Sequence, residues 1–226
     1  GRRNRLLSLY AKYMVPTRFA CSNAAGKMWY GNRPFRVLNN AIDCAAYAYS
    51  PEVRQAVRAR EQATDAFVVG HIGQATVKQK NHPFLFSVFA QITAQRPGAQ
   101  LWLIGAQPTP ELIALAEKLQ ITKQIRYFGQ RRDVPELLQG CDLFVFPSFS
   151  EGLPVSVVEA QAAGLPVVLS DAVTREVACT PLVKTLSLHQ SPKEWAGAAL
   201  QSLPPRQSPT AALIAGGWVE YQRSSY

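Results

Sequence analysis

The chain has 226 residues, 47% of them hydrophobic and 17% charged, enough apolar material for one large or two small globular domains, which excludes a disordered tail. No run of about 18 apolar residues occurs, so no membrane-spanning helix is expected. The net charge of +9 is concentrated at one end: residues 1–42 hold eight Lys or Arg and no acid, whereas from Asp43 onward 16 basic side chains face 15 acidic ones.

The first stretch, GRRNRLLSLYAKYMV, has a basic start, but Ser8 and Lys12 interrupt its apolar part and it is not read as a signal peptide. A basic helix is expected near residues 3–14, a strand at TRFACS, a short helix from Ala24 to Tyr30 and a strand at FRVLNNAI. These make about one and a half β-α repeats, too few to close a sheet. The chain is therefore expected to begin inside a domain whose earlier part lies outside it, with residues 44–65, including a helix at PEVRQAVRARE, leading into a second unit. The basic block suits steering toward nucleic acid or an anionic membrane face; the alternative is a solvated helix face.

From about Asp65 a short apolar run, a turn and a helical stretch recur, the signature of a parallel sheet flanked by helices. Strands are predicted at AFVVGHIG, QLWLIG, IRYFG, LFVFPS, PVVLSD and VKTLS. Between them, HPFLFSVFAQITAQ carries Leu85, Val88, Phe89 and Ile92 at i, i+3, i+4 and i+7, so one face should pack on the sheet. TPELIALAEKL, DVPELLQG and PVSVVEAQAAG follow the same logic and begin near Thr, Asp or Pro. The fold class is thus α/β, a Rossmann-like parallel sheet with helices on both faces plus an incomplete N-terminal portion. Residues 66–206 form the main domain, and 207–226 a terminal helix weakened by Gly216 and Gly217.

In such a sheet, ligands bind at the carboxyl ends of the strands. That places GHIGQATVKQKN, LIGAQPTP and PSFSEGLPVSVVE on one rim. The turn Gly152-Leu153-Pro154 opens a helix, and free N–H groups there favour anions such as a diphosphate. Lys80 would neutralise the phosphate. Glu151 and Glu159 repel it when ionised but accept hydrogen bonds from sugar hydroxyls, and Glu159, four residues after Val155 beside the apolar stripe, needs such a partner. Each feature alone also fits a salt-bridged structural carboxylate or a solvated lysine. Cys21, Cys44, Cys141 and Cys179 and the three histidines are scattered, so no metal site or disulfide framework is expected. The P-loop, dinucleotide and nucleophile-elbow motifs are absent.

Taken in order, the motifs resemble those of the retaining glycosyltransferases of family four, which have the GT-B fold. RFACS with AGKMWYGN, VLNNAID, GHIGQ with QKNHPFL, LIGAQP, and the long match from Asp133 to Asp171 with its E-x7-E spacing carry the resemblance. The capsular and exopolysaccharide branch is the most similar. The resemblance implies a nucleotide-sugar donor, UDP- or GDP-linked, and a glycan or lipid-linked acceptor, with no cofactor, no metal and no nucleic acid. It implies that Glu159 binds the ribose, that Glu151 with Gly152, Leu153 and Pro154 faces the donor sugar and diphosphate, and that Lys80 contacts the diphosphate, with Gly73 and Gln74 among the donor-binding residues. Lys80 and Glu151 are the catalytic candidates. The family's diphosphate arginine is Gln74 here. Residues 1–43 would be a remnant of the acceptor-side domain, and the location cytoplasmic, with residues 1–42 a candidate contact for an anionic membrane. The alternative is a non-catalytic module that binds a nucleotide sugar or an anionic surface.

Overall fold

The computed structural model describes residues 14, 16–38, 40–201 and 204–207. The helices expected near residues 3–14 and within 207–226 lie outside these, apart from Met14 and Gln207.

Near the start, β1 (Phe19–Ala20) pairs in parallel with β2 (Arg36–Val37) across α1 (Asn23–Tyr30). The strand expected over FRVLNNAI is thus only two residues long. A short helix absent from the sequence expectation, α2 (Cys44–Tyr47), is capped by the Asp43 carboxylate, which accepts from the amides of Ala45 and Ala46. Then comes α3 (Pro51–Arg60).

The main sheet has six parallel strands: β3 (Val68–Ile72), β4 (Gln100–Ile104), β5 (Ile125–Gly129), β6 (Leu143–Phe146), β7 (Val167–Ser170) and β8 (Val183–Leu186). Their spatial order is β5-β4-β3-β6-β7-β8, so the order reverses between β3 and β6. Side-chain alternation divides the core into two layers. Val68, Trp102, Ile104, Phe144, Phe146, Val167 and Leu169 face α3, α6 (Val134–Gly140) and α7 (Val155–Ala162). Val69, Leu101, Leu103, Leu143, Val145 and Val168 face α4 (His82–Gln95), α5 (Pro110–Lys118) and α8 (Pro192–Leu200).

Helix starts follow one local rule. Ser50, Thr109 and Ser191 each cap a helix whose first residue is proline, accepting from the amides of Val53, Leu112 and Glu194; proline there loses no intrahelical bond. Asp133 departs from the rule, because its carboxylate is taken by Arg131 and Arg60 and caps nothing.

The end of α6 is unusually well satisfied. Helix C-termini leave carbonyls without partners, and here three guanidiniums supply donors. Arg54 donates to the Gln139 and Cys141 carbonyls at 3.0 and 2.8 Å. Arg58 donates to Gly140 at 2.8 Å, and both arginines pair with Asp142. Arg206 donates to Leu138 at 2.7 Å, Cys141 at 2.8 Å and Ala163 at 3.0 Å. Burial pulls its guanidinium down to about 10.

Candidate functional site

The order reversal between β3 and β6 leaves a crevice at their carboxyl ends, where the loops diverge. Hydrogen bonds stitch the two loops together. The Asn81 side-chain amide donates to the Pro147 carbonyl at 3.1 Å, and the Phe149 amide donates to Gln79 at 2.8 Å. Asn81 takes a left-handed conformation, φ 54°, to turn the short 3-10 segment Lys78–Lys80 into α4.

This stitching carries Lys80 to Glu151. Lys80 Nζ lies 2.9 Å from Glu151 Oε1, with both side chains about one-fifth exposed, and 4.7 Å from the Phe146 ring centroid. Gly73 makes the approach possible: a Cβ there would sit 3.0 Å from the Lys80 stem and from His71 Nε2. The Gly73 amide donates to Ile104 at 2.9 Å, which ends β3. A cation and an anion at this separation, mostly shielded from water but reachable from the crevice, form an exchangeable pair: each can trade its partner for an incoming phosphate or hydroxyl.

After Glu151, whose backbone bridges to Val173, Gly152 accepts a hydrogen bond from Ser22 Oγ at 3.1 Å. Leu153 and Pro154 are buried. Pro154 is the residue before α7 rather than part of its first turn, and no side chain caps the helix. One and a half turns on, Glu159 accepts a 2.7 Å hydrogen bond from the Tyr47 hydroxyl. Burial raises the Glu159 carboxyl above its ordinary value, and the Tyr47 bond offsets part of that.

The structure thus brings Gly73, Lys80, Glu151 and the Gly152–Pro154 turn onto one rim, with Glu159 further along the helix that the turn opens. Gln74 follows Gly73, the residue packed against the Lys80 stem. It is exposed and lines a hollow of about 540 Å³ with Thr76, Gly105, Gln107 and Thr109. Three neighbours were not singled out from the sequence. Tyr47 is one. Glu176 is the second: its carboxylate accepts from the Asn23 and Ala24 amides at 2.8 and 2.9 Å, so α1 starts beside the crevice. Burial raises the Glu176 carboxyl, but the bonds from Asn23, Ala24 and Thr174 outweigh it and hold the group below the usual range. Contacts across 112 and 153 residues leave no local pattern to read.

His71 is the third, fully buried beneath the pair. Its Nδ1 lies 2.9 Å from the Val145 carbonyl and so carries the proton, which leaves Nε2 as a buried lone pair with no partner. The His82 ring meets it edge-on at 5.0 Å. Burial, with the other histidine and Lys80 adding to it, pulls His71 down to about 3; burial and Lys80 pull His82 down to about 4. Both rings are neutral at pH 7. Because their folded values lie below the ordinary 6.5, the unfolded chain takes up these protons first. Their contribution to stability is complete above pH 6.5 and is lost as pH falls toward the folded values, at about 1.4 kcal/mol per unit for each ring. Urea unfolding between about pH 7 and pH 5 should show this decline, shallower in His82→Asn; a flat profile would contradict it.

Among the described residues, no group of three His, Cys, Asp or Glu side chains is placed to hold a metal ion, and no helix is long and apolar enough to cross a membrane.

A doubly wound parallel sheet with a lysine, two glutamates and an uncapped helix start at its order reversal defines a Rossmann-like α/β domain. Solved structures that share this fold include glycosyltransferases of the GT-B type. One is Anabaena HepE, in complex with UDP and glucose, at TM-score 0.79 and 21% identity over 96% of this chain and 63% of that one. Another is WaaG, a glycosyltransferase involved in lipopolysaccharide biosynthesis, at TM-score 0.72 and 21% identity over 91% of this chain and 58% of that one. The chain belongs to the family Glycosyl transferases group 1, whose sequence profile matches residues 66–203. It is 34% identical over 185 residues to a protein named as the glycosyltransferase EpsF of Bacillus subtilis, covering 78% of this chain and 48% of that protein. It is 39% identical over 90 residues, 40% of this chain and 24% of the relative, to the N,N'-diacetylbacillosaminyl-diphospho-undecaprenol alpha-1,3-N-acetylgalactosaminyltransferase of Campylobacter jejuni. The chain spans about half the length of EpsF.

Proposed function

We propose that the chain is the donor-binding half of a retaining glycosyltransferase of family four, which moves a sugar from a UDP- or GDP-linked donor to a glycan or lipid-linked acceptor in polysaccharide assembly on the cytoplasmic side of the membrane. The observation that carries this reading is the Lys80–Glu151 pair, 2.9 Å apart at the order reversal, beside the uncapped start of α7.

In this reading the diphosphate settles over the amides that open α7, where the helix dipole favours negative charge. Lys80 leaves Glu151 for the phosphate, and Glu151 turns to the hydroxyls of the donor sugar. Charge builds on the diphosphate as the glycosidic bond breaks, so the ammonium and the fixed amide dipoles lower the barrier where charge develops. Glu159, further along the helix, accepts from the ribose hydroxyls. Residues 1–43 belong to the acceptor-side domain, and the names of the relatives, several of which act on undecaprenol-linked or lipopolysaccharide acceptors, support an acceptor of that class.

Isothermal titration of the chain with UDP, GDP and UMP tests the reading. A diphosphate should bind at least about tenfold more tightly than UMP, because it adds a charge-assisted contact to Lys80. Equal affinities, or no binding of either diphosphate, would overturn it. Gln74→Arg should tighten UDP binding about tenfold by returning a cation to the loop. An unchanged or weaker affinity would mean that this side chain serves the adjacent hollow and not the diphosphate.

A further inference from the structure

The hydrogen bond on Glu159 comes from an unexpected direction. Tyr47 ends a four-residue helix in the connection between the N-terminal portion and the main sheet, and that connection is held tightly. The Gln139 side-chain amide donates to the Tyr47 and Ala48 carbonyls, each at 2.9 Å, and its Oε1 accepts from the Ser50 amide at 3.1 Å. Gln139 is 2% exposed. All three of these bonds go to backbone groups of the connection, at Tyr47, Ala48 and Ser50. Next along, the Tyr49 ring lies 4.7 Å from the Arg206 guanidinium. The backbone beneath Tyr47 is therefore fixed from the main domain, and its hydroxyl reaches back to the carboxylate on α7.

We propose that Tyr47 is a positioning residue for the nucleoside. Its hydroxyl occupies Oε1 of Glu159 and holds the carboxylate so that Oε2 faces a vicinal diol, while the Gln139 clamp sets the position of Tyr47. The inference rests on the assignment of Glu159 to the ribose. The chemistry supports it in two ways. A carboxylate with one oxygen already engaged loses less freedom on accepting a diol, so less of the binding free energy goes into ordering it. The Tyr47 phenol is pushed well above its ordinary value by burial, then by its bond to Glu159 and by the charges of Glu159 and Asp43. It therefore stays protonated and acts toward Glu159 as a donor. A phenylalanine at this position would fill the same space but leave the carboxylate free to turn.

The test compares UDP with 2′,3′-dideoxyuridine 5′-diphosphate on the 226-residue chain and on Tyr47→Phe, by calorimetry. The unsubstituted chain should prefer UDP. In Tyr47→Phe that preference should fall about five- to tenfold, with affinity for the dideoxy nucleotide and the thermal midpoint little changed. A uniform loss for both nucleotides would assign Tyr47 a structural role and overturn the inference, as would a preference left intact. If the unsubstituted chain itself fails to distinguish the two nucleotides, the assignment of Glu159 fails, and the role of Tyr47 falls with it.

Discussion

Glu159→Ala is expected to weaken UDP binding by about ten- to a hundred-and-fiftyfold, the range for hydrogen bonds to a charged group. The carboxylate is already half removed from water, which raises its proton affinity, and Tyr47 donates to one of its oxygens. A diol would supply donors to this desolvated group. The stability sign separates a binding role from a structural one. With a folded-state value above the ordinary 4.5, the folded chain holds the proton more tightly than the unfolded one. Stability attributable to this group is thus greatest at low pH and declines as pH rises from about 4.5 through the folded value. At neutral pH the charge is a liability to the fold. Glu159→Gln should accordingly keep or raise the thermal midpoint while lowering UDP affinity. A variant that lost stability and kept affinity would mark Glu159 as a structural residue.

Gln161→Leu is expected to destabilise the chain by about 3 kcal/mol or more. Gln161 lies on α7 and is fully buried. Its Oε1 accepts from the Cys179 amide at 3.1 Å, the Thr180 amide at 3.1 Å and the Thr180 hydroxyl at 2.9 Å, and its Nε2 donates to Val177 at 2.8 Å and Val157 at 3.0 Å. Leucine is of similar size but takes away the acceptor of the Thr180 amide and hydroxyl, both of which bond to Gln161, while the Cys179 amide keeps its bond to Val177; each donor left buried without a partner costs about 1–3 kcal/mol. Urea unfolding measures the difference, and a change under about 1 kcal/mol would show that the segment 177–180 rearranges freely. The bonds also hold α7 against the segment that follows Val173, the residue bridged to Glu151. Weaker UDP binding should therefore accompany the loss of stability.

The sheet was legible because its strands announce themselves: VVGHI, QLWLI and LFVF are apolar runs bounded by glycine, proline or polar turns, and each forms a strand. Lys80 and Glu151 were legible as members of one rim, since the carboxyl-end rule places both loops together before any contact is known. Their direct pairing was not, because it depends on how Asn81 and Phe149 stitch those loops. Helix α8 went unread although Ser191 and Glu194 form a capping box; Gly197 and the small residues around it dilute its apolar stripe. The short α2 has only four residues, below the span in which a helical period can be seen. Gln139 and Arg206 read as ordinary polar positions, since what they hold lies at least 43 residues away in sequence.

The three guanidiniums that converge on the end of α6 bear on where this unit physically stops. The family profile ends at residue 203, yet Arg206 reaches Leu138, Cys141 and Ala163 and packs on Tyr49. A polypeptide trimmed to the profile's boundary would lose the cation that ties its last segment to the connection at Tyr49. An excised version that keeps these bonds must therefore run past the end of the profile match and include Arg206.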